Sequence, residues 1–321
     1  MNTFPLNQLP PELVAHVVGA VMDPKDLRNL RLANRALNEL ATRELYREVY
    51  VHIDRLSDEV EHQSFEGVVK IFEKYPHLVQ GLDVDGFFGA RYDCLCPFEC
   101  APFLDALPNL QWIKMYGTYA SWWSQEDYAG QVAGLLKRAS LLTVPGERVL
   151  RGLRSLTLDI FTEEDPQDWF LGAFSAIFLI PQLQRLTLEG LTLCSADLAD
   201  IPPTFHGQTE LKSLRITRSY IDIQALRNML LLPHALTHLE LSHRRPGGSQ
   251  RPPGWHEEVC GPGDLRAALA QQGMSLEVVK ISRWPRVRVE GDKFDLSEEV
   301  FPRLRVYKGC YRDGSGRFPW G

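Results

Sequence analysis

A chain of 321 residues with 44% hydrophobic and 24% charged side chains can bury a substantial core, which excludes wholesale disorder and a fibrous class. Its net charge of −6 lacks the basic excess with which a general nucleic-acid binder offsets phosphate, so no nucleic-acid partner is expected. No apolar run approaches the roughly 20 residues that span a bilayer, so no membrane partner is expected either.

The opening MNTFPLNQLPPEL lacks the basic-then-apolar layout of a signal peptide. Six cysteines at irregular spacing do not read as a disulfide framework. Together these point to the cytoplasm, the nucleus or both.

Leu13, Val17, Val18 and Val21 recur at helical spacing behind Pro10 and Pro11, predicting a first amphipathic helix that ends near Met22. Asp23-Pro24-Lys25-Asp26 then reads as the start of a second helix carrying Leu27 and Leu30. Asp23 would cap it, Pro24 would take the first helical position, and Asp26 would favour the dipole. A third helix is expected after Asn34, with Leu37, Leu40, Ala41 and Leu45 on one side. Three such helices bury too little surface to be comfortable alone, so this unit needs a partner.

Leu9-Pro10-Pro11-Glu12-Leu13, the apolar helix, Asp23-Pro24-Lys25-Asp26-Leu27, then Leu30-Arg31-Leu32-Ala33-Asn34-Arg35 and Leu37 with Leu40-Ala41 together resemble an F-box over residues 6 to about 47. Asn34 stands where serine or cysteine is usual, and Leu37 where tryptophan or phenylalanine is usual. The resemblance implies docking onto the Skp-type adaptor of a cullin-RING ubiquitin ligase. By position, the adaptor contacts would be Leu9, Pro10, Leu13, Val17, Leu27, Leu30, Leu32 and Leu37.

Downstream, an apolar residue, two others, an apolar residue, one other and an apolar residue recur. The matches are Val79/Leu82/Val84, Leu110/Ile113/Met115, Leu153/Leu156/Leu158, Leu183/Leu186/Leu188, Leu211/Leu214/Ile216, Leu236/Leu239/Leu241 and Leu276/Val279/Ile281. The closing step of two predicts a strand with one inward face. FPRLRVYKG allows an eighth match in either of two registers, Phe301/Leu304/Val306 or Leu304/Tyr307/Gly309. Val49, Val51 and Ile53 alternate as an edge strand. Helical segments are expected at Phe65/Val68/Val69/Phe72, Tyr128/Val132/Leu135/Leu136, Trp169/Phe170/Phe174/Ile177, Ile223/Leu226/Met229/Leu230 and Leu265/Ala268/Leu269. Pro76, Pro108, Pro181, Pro233 and Pro302 turn the chain into the strands that follow.

Alternating helix and strand imply parallel strands joined by crossovers, an α/β fold. The pattern resembles the irregular leucine-rich repeats of F-box/LRR proteins of the fungal type. It implies a domain at 1–47 and a curved solenoid with outer helices at 48–321. The residues between the apolar ones then face outward as a target-binding surface: Asp83, Asp85, Lys114, Tyr116, Asp159, Glu189, Arg215, His238, Glu240 and Lys280. Trp122 and Trp123 in the insertion YGTYASWWSQEDY and Arg283 in a basic cluster join them. The Pro- and Gly-rich RRPGGSQRPPGW reads as an exposed loop.

Cys94, Cys96 and Cys100 lack a fourth ligand and a recognised metal spacing, so free thiols and no metal are expected. No glycine-rich phosphate loop and no nucleophile-base set assembles, so no catalytic residue and no cofactor are expected. The reading is a non-catalytic substrate receptor of an SCF-type ubiquitin ligase, directing ubiquitin-dependent degradation of a protein target. The alternatives are an interaction scaffold using the F-box-like element outside a cullin ligase, and a metal or thiol enzyme built on the three cysteines.

Overall fold

The structure is a computed structural model that describes residues 9–53, 60–86, 101–117, 126–159, 169–243, 262–282 and 299–310. Three helices open the chain: α1 (Pro11–Gly19), α2 (Pro24–Ala33) and α3 (Arg35–Leu45). The first stops three residues short of Met22, where the chain turns ahead of the Asp23 cap. Arg47 then leads straight into β1 (Glu48–Ile53).

The rest alternates as the apolar repeat predicts. Helices α4 (Val60–Lys74), α5 (Ala101–Leu104), α6 (Glu126–Ala139), α7 (Ile223–Leu230) and α8 (Pro262–Ala270) lie between strands. The strands are β2 (Gly81–Gly86), β3 (Trp112–Gly117), β4 (Ser155–Asp159), β5 (Trp169–Phe170), β6 (Arg185–Glu189), β7 (Leu191–Leu193), β8 (Ser213–Ile221), β9 (His238–His243), β10 (Val278–Ser282) and β11 (Val306–Cys310). They form an 11-stranded parallel sheet in which β1, β2, β3, β4, β6, β8, β9, β10 and β11 follow each other in chain order. β5 and β7 branch from the far end of β8.

All seven repeats fall in register. Leu82, Ile113, Leu156, Leu186, Leu214, Leu239 and Val279 lie side by side across adjacent strands and are buried. The apolar residue that opens each repeat, such as Leu110, Leu153 or Leu236, is buried just before its strand. Side chains of α4, α6, α7 and α8 close the same core, so the helices cover one face of the sheet. A fully buried aliphatic side chain contributes about 1.5–3 kcal/mol, and that is the role of these positions.

Backbone hydrogen bonds mark the repeat as clearly as the leucines do. One carbonyl ahead of each strand accepts two N–H groups of the next unit. Arg47 accepts from Gln80 and Gly81, Gln80 from Gln111 and Trp112, and Gln111 from Arg154 and Ser155. The series continues through Arg154, Gln184, Lys212 and Thr237 to Glu277, which accepts from Arg305 at 2.8 Å and Val306 at 3.1 Å. This ladder decides the last repeat: Val279 pairs with Tyr307 and Ile281 with Gly309, so its register is Leu304/Tyr307/Gly309 and Val306 faces outward.

One expected helix is absent. Trp169 and Phe170 form β5, and 172–179 is a 3-10 helix that opens on Gly172, whose φ of +38° ends the extended segment. The stretch GAFSAIFL buries side chains on nearly every side, so it lacks the one-sided pattern that specifies a surface α-helix.

Candidate functional site

Two surfaces stand out, the outer side of the N-terminal helices and the polar face of the sheet. In the N-terminal unit, the Asp23 carboxylate accepts from the Lys25 N–H at 2.7 Å and the Asn34 side chain accepts from the Leu37 N–H at 2.9 Å, so both caps form as expected. Val18, Leu27, Leu37 and Ala41 make a small core of their own, flanked by Val14, Val21, Leu30, Leu40 and Leu45.

That core divides the eight residues assigned to docking. Leu27 and Leu37 are buried within the unit and hold it together. Leu30 packs against the same core and Leu9 is half-buried. Pro10 just ahead of α1, and Leu13 and Val17 on the same side of it, remain outside, with Leu13 at 50% and Val17 at 43% exposure. Leu32 is 86% exposed. Met22, at 92%, escaped the sequence reading because it lies in the turn, beyond the helical periodicity that singled out its neighbours.

The unit is joined to the sheet without a spacer. Tyr46 stacks on Tyr75 with ring centroids 4.6 Å apart, and the Arg31 guanidinium lies 5.7 Å from the Tyr46 ring while donating to its hydroxyl at 3.3 Å.

The second surface is the polar face of the sheet. Its register aligns Tyr50, Asp83, Lys114, Thr157, Thr187, Arg215, Glu240, Lys280 and Lys308 in one row across the strands. Asp85, Tyr116, Asp159 and Glu189 align in the next row. His238 lies in the row on the other side, level with Trp112. The fold thus brings ten of the thirteen expected target contacts onto one face. Trp122, Trp123 and Arg283 lie outside the described residues, as do Cys94, Cys96, Cys100 and the loop 244–255.

Ion pairs knit this face together: Asp83 with Lys114 at 3.8 Å, Glu240 with both Arg215 at 3.5 Å and Lys280 at 3.6 Å, and Glu189 with Arg218 at 3.0 Å. Arg218 reaches Glu189 from a bulge in β8, where its φ of +50° lies in the left-handed region. The Lys114 ammonium also sits 5.1 Å from the Trp112 ring. That indole occupies the space beside Gly81, where any Cβ would collide with it.

Tyr50, exposed at the head of the middle row, was missed, although its place between Val49 and Val51 already points it outward. It donates its hydroxyl to the Glu48 carboxylate at 2.9 Å. That bond, with some burial and the nearby Glu48 and Asp83 charges, raises its pKa above the ordinary tyrosine value.

Among the described residues no three His, Cys, Asp or Glu side chains gather as a metal site, and no helix is long and apolar enough to cross a membrane. What the N-terminal unit presents is a capped three-helix module with its own core and apolar side chains turned outward, the class of protein-interaction modules. A family model described as F-box-like matches residues 6–52, running past Arg47 into β1. F-box domains are typically non-catalytic and bind Skp-type adaptors. No curated protein matches the chain.

Proposed function

We propose that the chain is the substrate receptor of an SCF-type cullin-RING ubiquitin ligase. In this reading residues 1–47 dock onto the Skp-type adaptor and residues 48–321, a leucine-rich-repeat-like solenoid, hold a protein target on the polar sheet face. Ubiquitin is transferred by proximity, with the reactive cysteine on another protein, and the work is done in the cytosol or nucleus.

The observation that carries the reading is the F-box-like match over a unit whose Pro10, Leu13 and Val17 stripe, together with Leu32, is left uncovered. Exposed aliphatic side chains in a unit with so small a core are costly unless a partner buries them. Parallel strands in chain order, with helices on one face and polar residues on the other, support the solenoid reading.

The test is co-purification of the full chain with the Skp-type adaptor beside Leu13→Asp/Val17→Asp and Leu32→Asp variants of unchanged melting temperature. The intact chain forms a complex, and each variant binds at least about tenfold more weakly, in line with loss of an apolar interface anchor. No complex with the intact chain overturns the ligase reading. A complex indifferent to the variants overturns the assigned interface.

A further inference from the structure

The polar sheet face changes sign along the strand order. On β1 to β6 the outward carboxylates Glu48, Asp83, Asp159 and Glu189 outnumber Lys114 and Arg185, whereas β8 to β11 carry Arg215, Lys280 and Lys308 against the single carboxylate of Glu240. Glu240 is shared between Arg215 and Lys280, and Lys308 has no carboxylate partner among the described residues. Lys280 and Lys308 stand directly across from each other in register, an unfavourable placement for like charges in a sheet. In a chain of net charge −6 this local cationic excess runs against the overall balance.

An apolar pair lies beside the lysines. Val278 and Val306 are opposite each other two residues earlier on the same strands and on the same face, and Val306 is 38% exposed. Along a strand this offset is about 6.7 Å, the distance that separates alternate side chains of any extended peptide. An extended segment lying along β10 and β11 therefore sets an aliphatic side chain over the valines and a carboxylate over the lysines, with no change in its own geometry.

We propose that Val278, Val306, Lys280 and Lys308, with Arg215 at their flank, form a subsite for an extended acidic segment of the protein target, in which an aliphatic side chain and a carboxylate stand two residues apart on one face. The proposal rests on the sheet face being the target-binding surface. Carboxylates placed there neutralise the facing lysines, and the valines lose their contact with water.

The test uses the full chain and a short fluorescein-labelled peptide of the repeat Leu-Ser-Glu-Ser, in which leucine and glutamate stand two residues apart on one face, followed by fluorescence anisotropy at low and high salt. Expected is saturable binding that weakens with salt. Lys280→Glu/Lys308→Glu weakens it by at least about tenfold and Lys280→Gln/Lys308→Gln weakens it less, both with unchanged melting temperature. Val306→Ser also weakens binding, and a peptide with lysine in place of glutamate does not bind.

Absence of saturable binding, or equal affinity for the charge-reversed chain, overturns the subsite. So does tighter binding of a single-stranded RNA oligonucleotide, or binding confined to a phosphoserine version of the peptide. Adaptor capture on the same preparations separates this from the ligase reading. Lysine-dependent peptide binding by a chain that captures no adaptor leaves the subsite standing and removes the ligase, and adaptor capture without peptide binding does the reverse.

Discussion

Replacing Gln272 with leucine removes a side chain that ties the end of α7, the start of the β9 repeat and the end of α8 together. Gln272 is buried in the turn after α8. Its amide nitrogen donates to the Leu230 carbonyl at 2.8 Å and the Pro233 carbonyl at 2.9 Å. Its amide oxygen accepts from the Leu236 N–H at 2.9 Å and the Ser275 hydroxyl at 3.0 Å. Both donors and both acceptor positions of the amide are thus used. Leucine of similar size leaves the Leu236 N–H and the two carbonyls without that partner in a dry site, and each such group costs about 1–3 kcal/mol. Relaxation of the surrounding turns recovers part of this, so the net loss is about 3–5 kcal/mol. Since repeat arrays unfold locally, the measurement is hydrogen exchange by mass spectrometry on peptides spanning 229–240 and 268–282, beside urea unfolding of the whole chain. Faster exchange at both segments, with 9–53 unchanged, is the expected pattern. A loss below about 1 kcal/mol with unchanged exchange would show that these bonds do not hold the two repeats together.

Two further outcomes follow from carboxylates and a thiol on the other side of the sheet. The Asp222 carboxylate accepts from the Gln224 N–H at 2.6 Å as the cap of α7 and from the Ser195 N–H of the preceding unit at 3.3 Å, so Asp222→Ala lowers stability by about 1–2 kcal/mol in urea unfolding, whereas Asp222→Asn loses less. The Cys194 thiol is pushed up to about 11, first by burial and then by the charges of Asp197 and Asp222. Iodoacetamide labelling mapped to Cys194 therefore stays slow through pH 9 and accelerates only as the pH nears 11. The raised value also means that the fold holds this proton more tightly than the unfolded chain, so stability from this group is complete below pH 8 and declines as pH rises from about 9 to 11. Rapid labelling of folded protein at pH 8 would contradict the placement of the thiol.

The strands were legible because their signal is local and redundant: three apolar positions at fixed spacing, a proline before many of them, and a polar residue between the last two. The same parity that buries Leu186 and Leu188 turns Thr187 outward, so the polar face could be read from the sequence. The final register was not legible, because Val306 and Tyr307 are both apolar enough to be the inward residue. The Glu277 carbonyl, a backbone feature without a side-chain signature, separates them. In the N-terminal unit the helices and caps were legible from Asp23, Pro24 and Asn34. Which leucines stay outside was not, because Leu13 and Leu27 look alike until the packing of three helices assigns one to the surface and the other to the core. The space that Gly81 leaves for Trp112 is likewise a matter of neighbouring strands, invisible in either segment alone.

The junction decides how the two surfaces can cooperate. Arg47 ends the third helix's last turn, bonded through its N–H to the Glu44 carbonyl at 3.4 Å, and its own carbonyl is the first rung of the ladder that runs to β11. Tyr46, one residue earlier, is stacked on Tyr75 at the end of α4's turn and held from the other side by Arg31 of α2. A flexible linker would let the exposed stripe of α1 sweep a wide arc relative to the sheet, diluting the effective concentration of anything held on the far strands. Here β1 begins at Glu48, directly after the turn that ends α3 at Leu45, and an aromatic pair sits across the seam. The direction of the α1 stripe is therefore tied to that of β1, and through the register of the sheet to the lysines of β10 and β11.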